Sequence, residues 1–180
     1  MIRSFVALAL STEMTSALET LQADLTIGNL VAAENFHLTL AFLGDQSRPV
    51  LEDLHLALEA IMVEPIDVAL SGIGLFGGRE PRTIHAKVQR SEPLKRLRDK
   101  VHRAIQEVGI KSDSRRFHPH VTLSRLATLE FEEKLRLEAW TARHAGFAFG
   151  PSVLSSFGLY RSTLTKGGPI YDQMAKYSLR

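Results

Sequence analysis

One short pattern occurs twice and constrains every other reading of this chain: His37-Leu38-Thr39-Leu40, and later His120-Val121-Thr122-Leu123. Side chains alternate faces along a strand, so an extended tetrapeptide sends His37 and Thr39 to one side and Leu38 and Leu40 to the other. His120 and Thr122 separate from Val121 and Leu123 in the same way. A single copy is the ordinary polar face of a half-buried strand. Two copies in a small chain call for a fold with two equivalent strands, and two facing imidazoles can serve as acid and base near neutral pH.

The elements around the two copies follow the same order. Arg3 to Leu10 reads as a strand, and Ser11 caps a helix from Thr12 to about Leu25 with Met14, Leu18, Leu21 and Leu25 at helical spacing. Phe36 to Leu43 is the first histidine strand, closed by Gly44-Asp45. Ser47 caps a second helix with Pro49 in its first turn and Leu51, Leu54, Leu58 and Ile61 as its buried stripe, and Ile66 to Leu70 reads as a strand. The second half repeats this: strand Arg82 to Gln89, cap Ser91, and a helix carrying Leu94, Leu97, Val101 and Ile105 that Gly109 stops. A polar, basic loop from Lys111 to Arg116 then delivers the second histidine strand, Phe117 to Arg125. A helix from about Glu130 to Arg143 follows, with Phe131, Leu135 and Trp140 among its apolar residues.

Strand, helix, His-x-Thr strand, helix, strand is therefore an internal repeat, with halves at about 1–77 and 78–180 of a single bilobal domain. An approximate twofold between the halves brings the two histidine strands to a shared cleft. Val153 to Tyr160 and Ile170 to Tyr177, joined by a turn at Thr165 to Pro169, add two strands that widen one lobe's sheet. Between the halves, Gly72-Ile73-Gly74-Leu75-Phe76-Gly77 has the spacing of a dinucleotide-binding fingerprint. That fingerprint needs a helix opening at its third glycine, whereas Gly78-Arg79-Glu80-Pro81 and a strand follow here, so these are read as turn and bulge glycines.

Composition narrows the chemistry. At 180 residues and 44% hydrophobic, the chain can bury a real core. The absence of cysteine removes disulfides, thiolate nucleophiles and cysteine metal sites, and fits a reducing compartment. The opening run Met1 to Leu10 leads to Glu13 and a helix start, so it reads as a strand and not as a leader. No apolar run approaches the roughly 20 residues of a membrane span, so a soluble, cytoplasmic protein without a membrane partner is expected. A net charge of +2 permits an anionic ligand without demanding a broad basic footprint.

Two imidazoles that remove one proton and supply another suit in-line displacement at phosphorus, where the oxygens between attacking and leaving groups need donors. Thr39 and Thr122 can donate to them, and Arg125 can add a charge-assisted bond. Strict alternation puts Arg125 on the face opposite His120, so that role requires a bulge or a strand end. The alternative is a solvated arginine or a surface ion pair.

HLTL and HVTL together resemble the 2H phosphoesterase superfamily. NFHLTLAFLGD, FHPHVTLSR and GPIYDQMAKY are similar to segments of the bacterial and archaeal RNA 2′,3′-cyclic phosphodiesterases, also called 2′-5′ RNA ligases. The resemblance implies an α+β fold of two lobes of mostly antiparallel sheet, helices outside and a cleft between. It implies metal-independent opening of 2′,3′-cyclic phosphates to 2′-phosphomonoesters with no cofactor, on RNA ends or nucleotides, tRNA fragments among them, and reversible joining of 2′-5′ ends. Carried over by motif, His37 is the proton donor, His120 the proton acceptor, and Thr39, Thr122 and Arg125 bind phosphate. The pseudo-symmetric sequence alone leaves either histidine as the acid. A non-catalytic nucleotide-binding module is the rival reading, against which two intact His-Thr pairs argue.

The remaining candidates have plainer readings. His118-Pro119-His120 has the look of a metal pair, yet no nearby carboxylate or cysteine completes it, and His118 is assigned to the cleft lining. Phe5 has two readings, a core residue and a stacking face for a nucleobase. His85 shares a face with Thr83 and Lys87, where the family tends to place a larger aromatic. His55, His102 and His144 take surface or cap roles. A monomer is expected, because each half supplies the other's partner.

Overall fold

Apolar stripes at helical spacing become helices here, and the alternating runs become strands. The computed structural model describes residues 1–111, 116–165 and 168–180, so the middle of the loop expected at Lys111 to Arg116 and the centre of the turn expected at Thr165 to Pro169 lie outside the described residues. In chain order the elements are β1 (Ile2–Ala9), α1 (Thr12–Gln22), β2 (Asn29–Leu30), a 3-10 turn (Ala33–Asn35), β3 (His37–Gln46), α2 (Arg48–Glu59), β4 (Ile66–Phe76) and β5 (Thr83–Val88). Then come α3 (Glu92–Glu107), β6 (His120–Arg125), α4 (Phe131–Arg143), β7 (Ala148–Leu154), β8 (Ser156–Thr165) and β9 (Gly168–Ser178). Ser11 and Ser91 cap α1 and α3 by accepting from the backbone amides of Met14 and Leu94. Ser47 holds the corresponding place before α2, but its side chain makes no such bond.

The strands run in the order β7-β4-β5-β6-β3-β1-β8-β9, all neighbours antiparallel, with β2 pairing β6. The centre of this order is its weakest seam, for β3 and β6 pair only at Leu38 and Val121. There the sheet parts into two lobes. On each side the first strand of a half flanks its histidine strand: β1 beside β3, and β5 beside β6. Beyond them β8 lies on β1 where β4 lies on β5, so the tail strands widen one lobe as expected.

Leu38, Leu40, Val121 and Leu123 are buried on the face away from the cleft, in one core with Met14, Leu18 and Leu21 of α1, Leu54 and Leu58 of α2, and Leu97, Val101 and Ile105 of α3. Burial of a leucine-sized side chain contributes about 2 kcal/mol. That back face therefore holds the two histidine strands rigidly beneath their polar side. Among the described residues no helix is long and apolar enough to cross a membrane.

Several boundaries differ from the sequence reading. The strand expected over Val153 to Tyr160 is two strands, and β7 begins before it, at Ala148. Gly150-Pro151 lies inside β7, where proline cannot donate to a ladder; the two residues oppose the single Ala69 of β4, a bulge in β7 that takes the proline out of the ladder. β4 does not end at Leu70 but runs through the glycine-rich stretch to Phe76, with a bulge at which Gly72 adopts φ +80°. Gly72 is thus a bulge glycine and Gly77 a turn glycine, as expected, while Gly74 sits in the ladder opposite His85. β3 likewise continues past Gly44-Asp45 to Gln46, and α1 stops at Gln22 although Leu25 remains buried. On α4 it is Leu137 and Trp140 that pack inward, while Phe131 and Leu135 are exposed.

Candidate active site

Both histidine strands carry the same irregularity. On β3, Thr39 pairs with Ala7 and Ala41 with Val6, leaving Leu40 as an extra residue; on β6, Thr122 pairs with His85 and Ser124 with Ile84, leaving Leu123. One unpaired residue resets the alternation of faces. The fifth position after each histidine thus returns to the cleft, and it is Phe42 in one strand and Arg125 in the other. This is the bulge that Arg125 needed.

The second bulge is stitched in place. The Leu123 carbonyl, out of the ladder, accepts from the Val31 amide at 2.8 Å and from Gln22 Nε2 at 2.7 Å, and Ser124 Oγ donates to the Ile27 carbonyl at 2.8 Å. Gly28 passes close by at φ +74°, where a Cβ would stand 2.6 Å from the Arg125 carbonyl oxygen. Only glycine fits both the backbone angle and that approach.

Antiparallel pairing about Leu38 and Val121 sets His37 opposite Thr122 and Thr39 opposite His120. The two imidazoles therefore occupy one diagonal of a four-residue platform and the two hydroxyls the other. Each histidine is oriented alike: His37 Nδ1 donates to the Asn35 carbonyl at 2.7 Å, and His120 Nδ1 to the His118 carbonyl at 2.6 Å. A carbonyl only accepts, so Nδ1 carries a proton in both charge states and Nε2 is the nitrogen that titrates.

Aromatic walls hold the rings. His37 packs against Phe5 with centroids 4.8 Å apart and meets the edge of Tyr171 at 5.1 Å. His120 meets Phe76 at 4.8 Å and His85 at 5.1 Å, both edge-on. Phe5 is 3% exposed and stacks on Tyr160, so it is a packing partner behind His37. The Tyr171 hydroxyl accepts from Arg125 Nη2 at 3.4 Å and links the guanidinium to the His37 wall. Sequence reasoning gave Tyr171 no role, although it lies in the closing segment GPIYDQMAKY; only the β8–β9 pairing carries it back to this cleft.

A cavity of about 580 Å³ gathers His37, Thr39, His120, Thr122, Arg125, Phe5 and Tyr171 on its wall. His118 is not on that wall. It lines two adjoining grooves, with its Nδ1 accepting from Arg90 Nη2 at 3.3 Å. No group of three or more metal-ligating side chains occurs among the described residues.

Burial lowers the pKa of His37 to about 4 against the opposing hydrogen bond to Asn35, and the Arg125 guanidinium and any charge on His120 lower it further. His120 is lowered as well, again chiefly by burial. His85, 4% exposed and with an unpartnered Nδ1, is lowered to about 3 by burial and by its neighbours His120 and Lys87. Without a bound anion the imidazoles are thus neutral at pH 7, beside the Thr39 and Thr122 hydroxyls and the Arg125 guanidinium. An anion bound among them stabilises a protonated Nε2, since an opposite charge within about 4–6 Å favours the charged form.

The chain is similar in sequence and in fold to known proteins. The profile of the 2′-5′ RNA ligase superfamily matches residues 7–149. The chain is 35% identical over 147 residues to the RNA 2′,3′-cyclic phosphodiesterase of Aeropyrum pernix, spanning 80% of this chain and 82% of that one. Its fold is similar to TT0787 of Thermus thermophilus (TM-score 0.82, 30% identity, 99% of this chain and 98% of that one). It is also similar to E. coli LigT in complex with 3′-AMP (TM-score 0.81, 27% identity, 99% and 98% covered).

Proposed function

Because the chain belongs to the 2′-5′ RNA ligase superfamily, we propose that it hydrolyses RNA and nucleotide 2′,3′-cyclic phosphates to 2′-phosphomonoesters by two-histidine acid–base catalysis. The observation that carries this reading is the diagonal pair of imidazoles, each with Nδ1 committed to a carbonyl and Nε2 left to titrate. His120 Nε2 takes a proton from water as the water oxygen bonds to phosphorus. The bond from phosphorus to the 3′-oxygen breaks, and His37 Nε2–H protonates the departing oxygen. Thr39, Thr122 and Arg125 donate to the non-bridging oxygens, whose charge grows in the transition state. With an RNA 5′-hydroxyl in place of water, the same forward step bonds that oxygen to phosphorus, releases the 3′-oxygen and joins the ends through a 2′-5′ linkage; its reverse re-forms the cyclic phosphate.

The assignment of acid and base follows the family resemblance, since the two halves orient their histidines alike. Phe5 acts through His37, which it backs, and His118 contacts RNA outside the reacting centre. The names of the similar proteins support the substrate class, and an E. coli relative holds 3′-AMP. The reading takes the chain as one bilobal domain, a cytoplasmic monomer that acts on RNA ends such as tRNA fragments. His37→Ala and His120→Ala are each expected to lower turnover of a 2′,3′-cyclic nucleotide by on the order of 10² to 10⁴ with the thermal transition unchanged. Near-normal turnover by either variant contradicts the mechanism.

A further inference from the structure

A second groove opens directly from the reacting cavity. It measures about 560 Å³ and shares Thr39, Phe42 and His120 with the cavity. Its far wall is α3, where Arg98 and His102 lie one helical turn apart. Arg116 and Phe117, from the segment leading into β6, close the other side.

The chemistry of this groove is one-sided. Arg98, Arg116, His102 and His118 line it, and no acidic residue does among the described residues. The Arg98 guanidinium lies 4.8 Å above the Phe117 ring, and its Nε is buried with no hydrogen-bond partner. The Asp99 carboxylate comes no nearer to that guanidinium than 3.8 Å, at Nη1. Phe42 stands at the junction of groove and cavity and is 59% exposed, in the position that Arg125 takes in the other half. Cations that track a backbone, beside aromatic faces that take bases, are the recurring features of single-stranded nucleic-acid sites.

The reacting end limits what can lie here. A 2′,3′-cyclic phosphate uses both ribose hydroxyls, so the RNA bearing it continues only from its 5′-oxygen. We infer that this groove binds the nucleotide on the 5′ side of the terminal cyclic phosphate, with its phosphodiester on Arg98 and Arg116 and its base against Phe42. The inference rests on the phosphodiesterase reading and sharpens it: the substrate is an oligoribonucleotide end in preference to a mononucleotide.

The test compares kcat/KM for a 2′,3′-cyclic mononucleotide with that for a short RNA ending in the same cyclic nucleotide, in the wild type, Arg116→Gln and Arg98→Gln. The wild type is expected to favour the RNA. Arg116→Gln, an exposed position, should cut kcat/KM on the RNA about tenfold, the effect of one lost charge-assisted bond, and leave the mononucleotide unchanged. Its log kcat/KM should also fall less steeply with log salt. Equal wild-type values for the two substrates, or variants that lower both alike, overturn the assignment. A loss seen only when a second RNA with a 5′-hydroxyl is supplied also overturns it, because the groove then serves the attacking strand. If the wild type turns over neither substrate, the phosphodiesterase reading fails by itself. Anisotropy with a labelled RNA ending in a cyclic phosphate then decides the groove: weaker binding by Arg116→Gln upholds it, and an unchanged Kd overturns it.

Discussion

Varying pH from about 4 to 9 in a cyclic-nucleotide assay should move kcat and kcat/KM by different amounts, for a reason built into the cleft. Burial holds His37 at a pKa of about 4 where an ordinary imidazole titrates at 6.5. Protonating it at neutral pH in the empty cleft therefore costs about 4 kcal/mol, against less than about 1 kcal/mol for an exposed histidine. One phosphate charge at ~4 Å, with an effective dielectric of ~20, returns about 4 kcal/mol. The two figures nearly cancel. The free protein thus keeps both imidazoles neutral, and the complex carries one proton, the repulsion between His37 and His120 opposing a second. Since kcat/KM reports the free protein and kcat the complex, kcat/KM should peak below about pH 6.5 while kcat persists to higher pH, their alkaline limbs about 2 to 3 pH units apart. Coincident profiles with a kcat/KM maximum above about pH 7 would refute the role given to burial.

Three further outcomes are expected from substitutions. Thr39→Val removes one donor from the phosphate and should lower kcat/KM about 10- to 100-fold with little change in melting temperature; equal kinetics would remove Thr39 from the site. Gly28→Ala forces a Cβ to within 2.6 Å of the Arg125 carbonyl at φ +74°, so it should cost about 1–3 kcal/mol in chemical denaturation and raise KM through the displaced Arg125. Unchanged stability and KM would show that the Gly28 loop does not set Arg125. His85 favours the neutral form in the fold, so its contribution is intact above pH 6.5 and is lost at about 1.4 kcal/mol per pH unit as pH falls toward about 3. His85→Leu should accordingly move the acid-unfolding midpoint to lower pH, and an unmoved midpoint would assign acid sensitivity to other groups.

The order of the elements was legible because each half places apolar residues at a clear period before and after its His-Thr strand. The stripe of Leu94, Leu97, Val101 and Ile105 is as plain in the sequence as in the core. What local pattern does not carry is pairing between distant strands. β7 hides behind Gly146 and Gly150-Pro151, which read as loop although a bulge in β7 at Gly150-Pro151 lets it pair with β4. Tyr171 reaches His37 only because β9 pairs with β8 and β8 with β1. The bulges at Leu40 and Leu123 are equally silent, since an extra apolar residue beside Ala41 or Ser124 leaves no mark in an apolar-polar alternation. Phe42 shows the consequence: by pattern it belongs in the core, and by pairing it stands exposed at the mouth of the cleft.

The central claim is that two opposed imidazoles direct cleavage of one particular bond of a cyclic phosphate. The most direct measurement is incubation of the protein with a 2′,3′-cyclic nucleotide in EDTA and separation of the product isomers. The 2′-phosphomonoester as the sole product, lost in both His37→Ala and His120→Ala, is the expected result. A 3′-phosphomonoester, a product that requires an added divalent ion, or no product at all would contradict it.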